Sequence, residues 1–216
     1  MNKALNINKG KLLRYAPVAV LAVLMPLFFR NFSYGMLLIC FCAIYIIAVS
    51  GLDILYGYTG QISFATSAFF GIGGYGSLLL HNHTGLPIII TMLIASVISC
   101  VVALILAYPV SKLRFAFLSL ATISFNHIIF QLVTRSPGGI TGDFNGAFTE
   151  RMNIFGLDLK ESWKFYYFAL VCVVIFVSIK SMIVNSRVGR AFLAIKQNLH
   201  AADGMGINVR KYKVYA

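Results

Sequence analysis

The sequence predicts an all-α, polytopic transmembrane bundle of about six membrane segments, with one amphipathic helix beyond the last. Three observations predict it. Of 216 residues, 59% are hydrophobic and only 11% charged, where a soluble domain carries roughly 25% charged residues. Mean hydropathy is +0.84, and residues 31–52 and 54–111 hold no Asp, Glu, Lys or Arg. Finally, 18 Lys+Arg stand against 6 Asp+Glu, a net charge of +12. In a membrane chain such an excess belongs to cytoplasmic loops and does not mark a nucleic-acid binder.

A helix crossing a bilayer needs about 20 mostly apolar residues. The first segment lies between Arg14 and Arg30, "YAPVAVLAVLMPLFF". It is short, so it reads as a tilted span whose flanking arginines snorkel to the headgroups. Bulky "PLFFRNF" follows it, without the small residues of a cleavage site, which favours an uncleaved span over a signal peptide. The second segment fills residues 31–52. Residues 54–111 hold the third and fourth, split by the turn-rich "HNHTGLP" at 81–87. The fifth covers residues 115–134. The sixth covers 165–179 and is led by the interfacial aromatics of "WKFYY". With a cytoplasmic N-terminus, the inner loops hold Lys3, Lys9, Lys11 and Arg14, then Lys112 and Arg114, then seven cations from Lys180 to Lys213. The outer loops hold five, Arg30, Arg135, Arg151, Lys160 and Lys164. The positive-inside rule therefore supports this orientation.

Several motifs need weighing. "GIGGYG" at 71–76 spells the dinucleotide fingerprint G-x-G-x-x-G, but no acid lies between Asp53 and Asp143 and the stretch sits in an uncharged membrane run. A nucleotide site needs a strand before it and an acid about 20 residues on. The same stretch resembles a potassium filter, yet Ile72 stands where the filter's Thr would be. Helix packing is the better reading. Ser63, Ser67 and Gly71, then Gly73 and Ser77, recur every four residues and let backbones approach closely. Four glycines in six residues also predict a weak, bent or broken span.

The fifth segment carries Ser119, Thr122, Ser124, Asn126, His127 and Gln131, while Phe117, Leu118, Ala121, Phe125, Ile128 and Leu132 gather on the other side. Polar groups cannot be left bare in lipid, so that side faces other helices or a lined pathway. The four cysteines lie in apolar runs without a C-x-x-C pair and read as small hydrophobes. "HNH" at 81–83 lacks a third ligand and reads as a solvated turn, with no metal site.

Beyond the sixth segment, Val188, Ala191, Phe192, Ile195, Leu199 and Ala202 fall at helical spacing on one apolar face. Arg187, Arg190, Lys196 and His200 ring the other sides. Asn185 and Ser186 can cap its start, and Gly204 and Gly206 can end it. The residues alone fit a helix lying on the inner leaflet or one docked in a partner's groove.

The stretch "GLDILYGYTGQISFATSAFFGIGGYGSLLL" at 51–80 resembles the signature of permease subunits of branched-chain amino-acid ABC importers, the LivM type. Gly57, Gly60, Gln61, Ser63, Ala68, Phe69, Phe70, Gly71, Gly73 and Tyr75 carry the likeness. Asp53, Ala65 and Thr66 depart from it, standing where Asn, Gly and His are usual. "GGITGDFNG" at 138–146 resembles the family's outer loop through Thr141, Gly142, Asn145 and Gly146. "SRVGRAFLAIKQNLHAADGMGINV" at 186–209 is similar to its coupling segment.

The resemblance implies a permease with no active site and no cofactor of its own, ATP being hydrolysed on partner ATPase subunits. It implies a second permease subunit, an extracytoplasmic substrate-binding protein and a place in a bacterial inner membrane. The coupling loop would span 184–211 within a single transmembrane domain of residues 1–216. Gly189, Arg190, Phe192, Ile195, His200, Ala201, Ala202 and Gly206 are its expected coupling residues, with His200 where the family has Glu. Gly57, Gly60, Gln61, Ser63, Ser119, Thr122, Asn126 and His127 are the expected pathway residues. A further apolar span follows this point in the family, so the resemblance also implies a subunit cut short. The rival reading is an ion channel or proton-coupled carrier using His127, Asn126 and Asp53 as a polar relay.

Overall fold

A computed structural model describes residues 20–29, 32–111, 115–136, 139–142, 146–148, 153–154, 157–158 and 161–216. Arg14, Arg30, Lys112, Arg114 and Asn145 lie outside them. The chain is a helical bundle, as the composition predicts. The first helix, α1, covers Val20–Phe29. It is followed by α2 (Ser33–Asp53), α3 (Thr66–Thr84), α4 (Ile88–Val110), α5 (Phe115–Thr134) and α6 (Ser162–Asn185). Three short helices close the order: α7 (Arg187–Gln197), α8 (Leu199–Gly204) and α9 (Val209–Tyr215). The sequence reading anticipates neither α9 nor a further short element. A two-residue hairpin, β1 (Asn153–Ile154) against β2 (Leu157–Asp158), pairs antiparallel between α5 and α6.

Among the described residues, four helices are long and apolar enough to cross a membrane: Ser33–Thr59, Ile88–Val110, Phe117–Thr134 and Ser162–Asn185. The chain is a multi-pass membrane protein. α1 has ten described residues, and α3 is a 19-residue helix whose apolarity is diluted by its glycines and by His81, Asn82 and His83.

The expected weak point lies elsewhere than the glycines suggest. α3 runs without interruption through "GIGGYG". The break precedes it. After Asp53 the chain widens into a π-helical turn, Ile54–Thr59, which stops at Gly60 with φ +70°. Residues 60–64 then have no regular structure before α3 starts. The physical reason is that glycines inside a helix cost stability one by one, whereas a left-handed residue ends the helix outright. The glycines are used instead for close approach. A Cβ on Gly76 would lie 3.5 Å from the Ala95 methyl, and one on Gly73 would lie 3.8 Å from Ser99 Oγ. The α3–α4 pair thus rests on Gly73, Gly76 and the buried Ala95. Gly71 and Gly74 face open space.

α2 and α6 run side by side in the same direction. Near their first ends Met36, Cys40 and Tyr166 form a buried cluster, and Tyr166 Oη donates to the Ala22 carbonyl of α1 at 2.7 Å. Near their last ends Lys180 pairs with Asp53 at 2.6 Å. The helix ends at the α3–α4 turn are set by backbone conformation, without side-chain caps. Gly85 (φ +65°) ends α3 with its N–H on the His81 carbonyl, and Pro87 precedes α4.

Candidate functional site

Two groups of residues meet on one end of the bundle. The first surrounds the break after α2. Gln61 is only 5% exposed; its Nε2 donates to Thr59 Oγ1 at 3.2 Å, and Thr59 Oγ1 donates to the Leu55 carbonyl at 2.6 Å. The backbone N–H of Phe64 donates to Thr122 Oγ1 of α5 at 3.1 Å, and that hydroxyl in turn donates to the carbonyls of Leu118 and Ser119. One turn along, Ser67 Oγ donates to Asn126 Oδ1 at 2.8 Å. Thr122 therefore holds the non-helical stretch that follows Gly60, and Asn126 holds the first turn of α3. A threonine hydroxyl can do this because it both donates and accepts.

A cavity of about 400 Å³ opens beside this stretch. Gln61, Ser63 and Thr122 line it, among apolar residues such as Leu55, Phe69 and Leu118. No Asp or Glu is among the described residues lining it. Lys213 of α9 reaches its wall, and burial there pulls the ammonium pKa below the ordinary lysine value. Gln61, Ser63 and Thr122 lie together on its wall, while Gly57 lies in the π-helical turn before them and Gly60 at its end. His127 is not brought in. It is exposed on the far side of α5, 3.4 Å from Gln131 Nε2. Ser119 is half-buried near Thr122.

The second group is α7–α8. Ser186 caps α7 by accepting the Val188 N–H at 3.1 Å. Gly189, Ala191, Phe192 and Ile195 are buried, Phe192 to 1% exposure, against α6, α9 and the π-helical turn. The ring of Phe192 meets Tyr212 edge-on at 6.3 Å. The apolar face of the amphipathic helix is thus spent within its own chain. This corrects both readings of a free apolar face. Arg187, Arg190, Leu193, Gln197, His200 and Ala201 are left outward. The expected single helix over 188–202 is also two: Asn198 breaks it, its Oδ1 accepting the N–H groups of His200 and Ala201 at 3.0 and 3.1 Å. Ala202 is buried, and Gly206 (φ +81°) closes α8. A groove of about 620 Å³ runs beside α8, lined by Ser111, His200, Asp203, Asn208, Arg210 and Lys213.

Sequence reasoning missed Lys196 as a structural contact. Its Nζ donates to the Gly57 carbonyl at 2.7 Å, and its stem lies over Gly60. A lone lysine on a polar helix face carries no signal of this. The break at Asn198 was readable, since asparagine favours caps over helix interiors. The relay reading finds no support in the geometry. Asp53 is engaged by Lys180, Asn126 by Ser67, and His127 by Gln131.

Comparison with known proteins decides the family. Residues 35–216 match the model described as "Branched-chain amino acid transport system / permease component". The chain belongs to this family. Curated relatives agree. The high-affinity branched-chain amino acid transport system permease protein LivM of Escherichia coli (strain K12) is 27% identical over 196 residues, covering 80% of this chain and 46% of its own. The protein of the same name from Salmonella typhimurium (strain LT2) is 26% identical over 197 residues, with the same coverage. The chain spans about half the length of the curated relatives it matches. No solved structure matches it. As a family member, the chain is a permease component, and the matched range takes in both the break after α2 and α7–α8.

Proposed function

We infer that this chain is the permease part of an ATP-driven ABC importer for amino acids, most of all branched-chain ones, in a bacterial inner membrane. The observation that carries the reading is the family match over residues 35–216. The cavity beside Gln61, Ser63 and Thr122 supports it, because hydroxyl and amide groups among aliphatic walls suit a solute with a polar head and an apolar tail. The chain itself performs no chemistry. ATP is hydrolysed on partner ATPase subunits, and their closure is passed through α7–α8 to the bundle as alternating access. A second permease subunit and an extracytoplasmic binding protein complete the system.

The face offered to the ATPase is the polar one, with the cations Arg187 and Arg190 beside Gln197 and His200, since the apolar one is already buried. It suits a groove with acidic walls. The test is uptake of labelled leucine by cells carrying the subunit with its neighbouring ATPase and binding protein. Uptake should vanish with a hydrolysis-dead ATPase and survive a protonophore. Arg190→Glu should cut co-purification of the ATPase at least tenfold while leaving permease levels unchanged. Uptake that follows the proton gradient instead would favour the carrier reading.

A further inference from the structure

The π-helical turn and the irregular stretch after it are held from both sides by parts of the chain far away in sequence. At the α7 side, Lys196 Nζ sits 2.7 Å from the Gly57 carbonyl. That carbonyl lies where the π-helix ends, so it has no following turn to bond and needs an outside donor. The lysine stem passes so close to Gly60 that a Cβ there would be 3.2 Å from Lys196 Cγ. Gly60 is also left-handed at φ +70°, so two independent constraints call for glycine at this point. At the α5 side, the Phe64 N–H and Ser67 Oγ are fixed on Thr122 and Asn126. Between the two anchors lie Gln61 and Ser63, both on the cavity wall.

We propose that residues 54–64 form a strap between α7 and the cavity, and that Lys196 is the positioning residue that holds its α7 end. Lys196 touches no solute. It acts through the Gly57 carbonyl and through Gly60, setting where Gln61 and Ser63 stand. A tilt of α7 would pull on the Gly57 carbonyl and shift the cavity wall while Thr122 keeps the far end fixed. The structural claim stands on the contacts alone; its use in transport rests on the importer reading above.

The test separates the two. Ser63→Cys is introduced in the full subunit in native membranes, on a background with Cys40, Cys42, Cys100 and Cys172 replaced. Its labelling by a membrane-impermeant maleimide is timed. Lys196→Met keeps the stem and removes the donor. It should speed labelling about fivefold, the weight of one ordinary hydrogen bond. Lys196→Arg, which restores a cationic donor at a similar reach, should return the rate toward the parent. Gly60→Ala should speed labelling as Lys196→Met does. Equal rates in the parent, Lys196→Met and Gly60→Ala would overturn the strap. In the assembled transporter, Lys196→Met should lower solute moved per ATP hydrolysed without loss of ATPase co-purification. A parent subunit whose uptake ignores the ATPase would sink the importer reading and leave the labelling result standing.

Discussion

At the scale of single residues, Gly189 has no room for a side chain. α6 ends and α7 begins around Ser186, and the corner brings the Val184 carbonyl against the Gly189 Cα. A Cβ at Gly189 would meet the Val184 carbonyl oxygen and carbon, which are backbone and cannot swing aside. Gly189→Ala should therefore open the corner and cost about 2 kcal/mol, the size of an overpacking change. The expected readout is a lower melting temperature of the detergent-solubilised chain by several degrees, with α7 more accessible to protease. Gly204→Ala, where a Cβ meets open space, is the control and should change little. Gly189 was legible as a family glycine, but its reason was not, because the Val184 contact depends on the angle between two helices.

At the scale of elements, α3 separates what the sequence could give from what it could not. Its length, its apolar character and its end at Gly85 follow from the residues. The close-packing role of the glycines also follows, since small residues are how membrane helices approach. Which glycines do so does not follow, because rotation of a helix about its axis is set by neighbours. The four-residue register of Ser63, Ser67 and Gly71 pointed to one seam. The packing splits it, with Ser67 on α5 and Gly71 open, and gives Gly73 and Gly76 to α4. This yields a paired prediction. Gly76→Leu should push α3 off α4 at Ala95 and lower the yield of folded protein severalfold on gel filtration. Gly74→Leu, two residues away and facing out, should be tolerated. Equal yields for the two would mean that α3 is rotated from this register. α5 shows the same division. Its mixed face was legible, but Thr122 turns to the stretch before α3 and Asn126 to α3 itself, while Ser124, His127 and Gln131 remain outward.

At the scale of the whole molecule, the contacts sort described ends of several helices onto two sides. One side gathers Ala22, Met36, Ile88 and Tyr166, with Asn82 Nδ2 donating to the Phe148 carbonyl at 3.1 Å. The other gathers Asp53, Gly57, Tyr108, Lys180, Lys196 and Arg210, through the Asp53–Lys180 pair, the Lys196–Gly57 bond and the Arg210 guanidinium 4.6 Å from the Tyr108 ring centre. The cations divide unequally between them. Among the described residues, Lys180, Arg187, Arg190, Lys196, Arg210, Lys211 and Lys213 belong to the second side, and Arg135 and Lys164 to the first. Lys and Arg near span ends are retained in the cytoplasm, so the second side should face inward and carry α7–α9 with it. The bundle contacts fix which ends share a side, and the charges fix which side is which; neither alone gives the orientation. Alkaline phosphatase, active only outside the cytoplasm, reads this directly. Fusions after Leu86 and after Phe148 should be active, whereas fusions after Ser111 and after Gln197 should be inactive. Replacing Arg187, Arg190 and Lys196 together by Gln should raise activity of the Gln197 fusion, because the charges that retain that end would be reduced. If the four fusions gave the reverse pattern, α7–α8 would lie outside the cell, out of reach of any ATPase, and the proposed coupling would fail with the orientation.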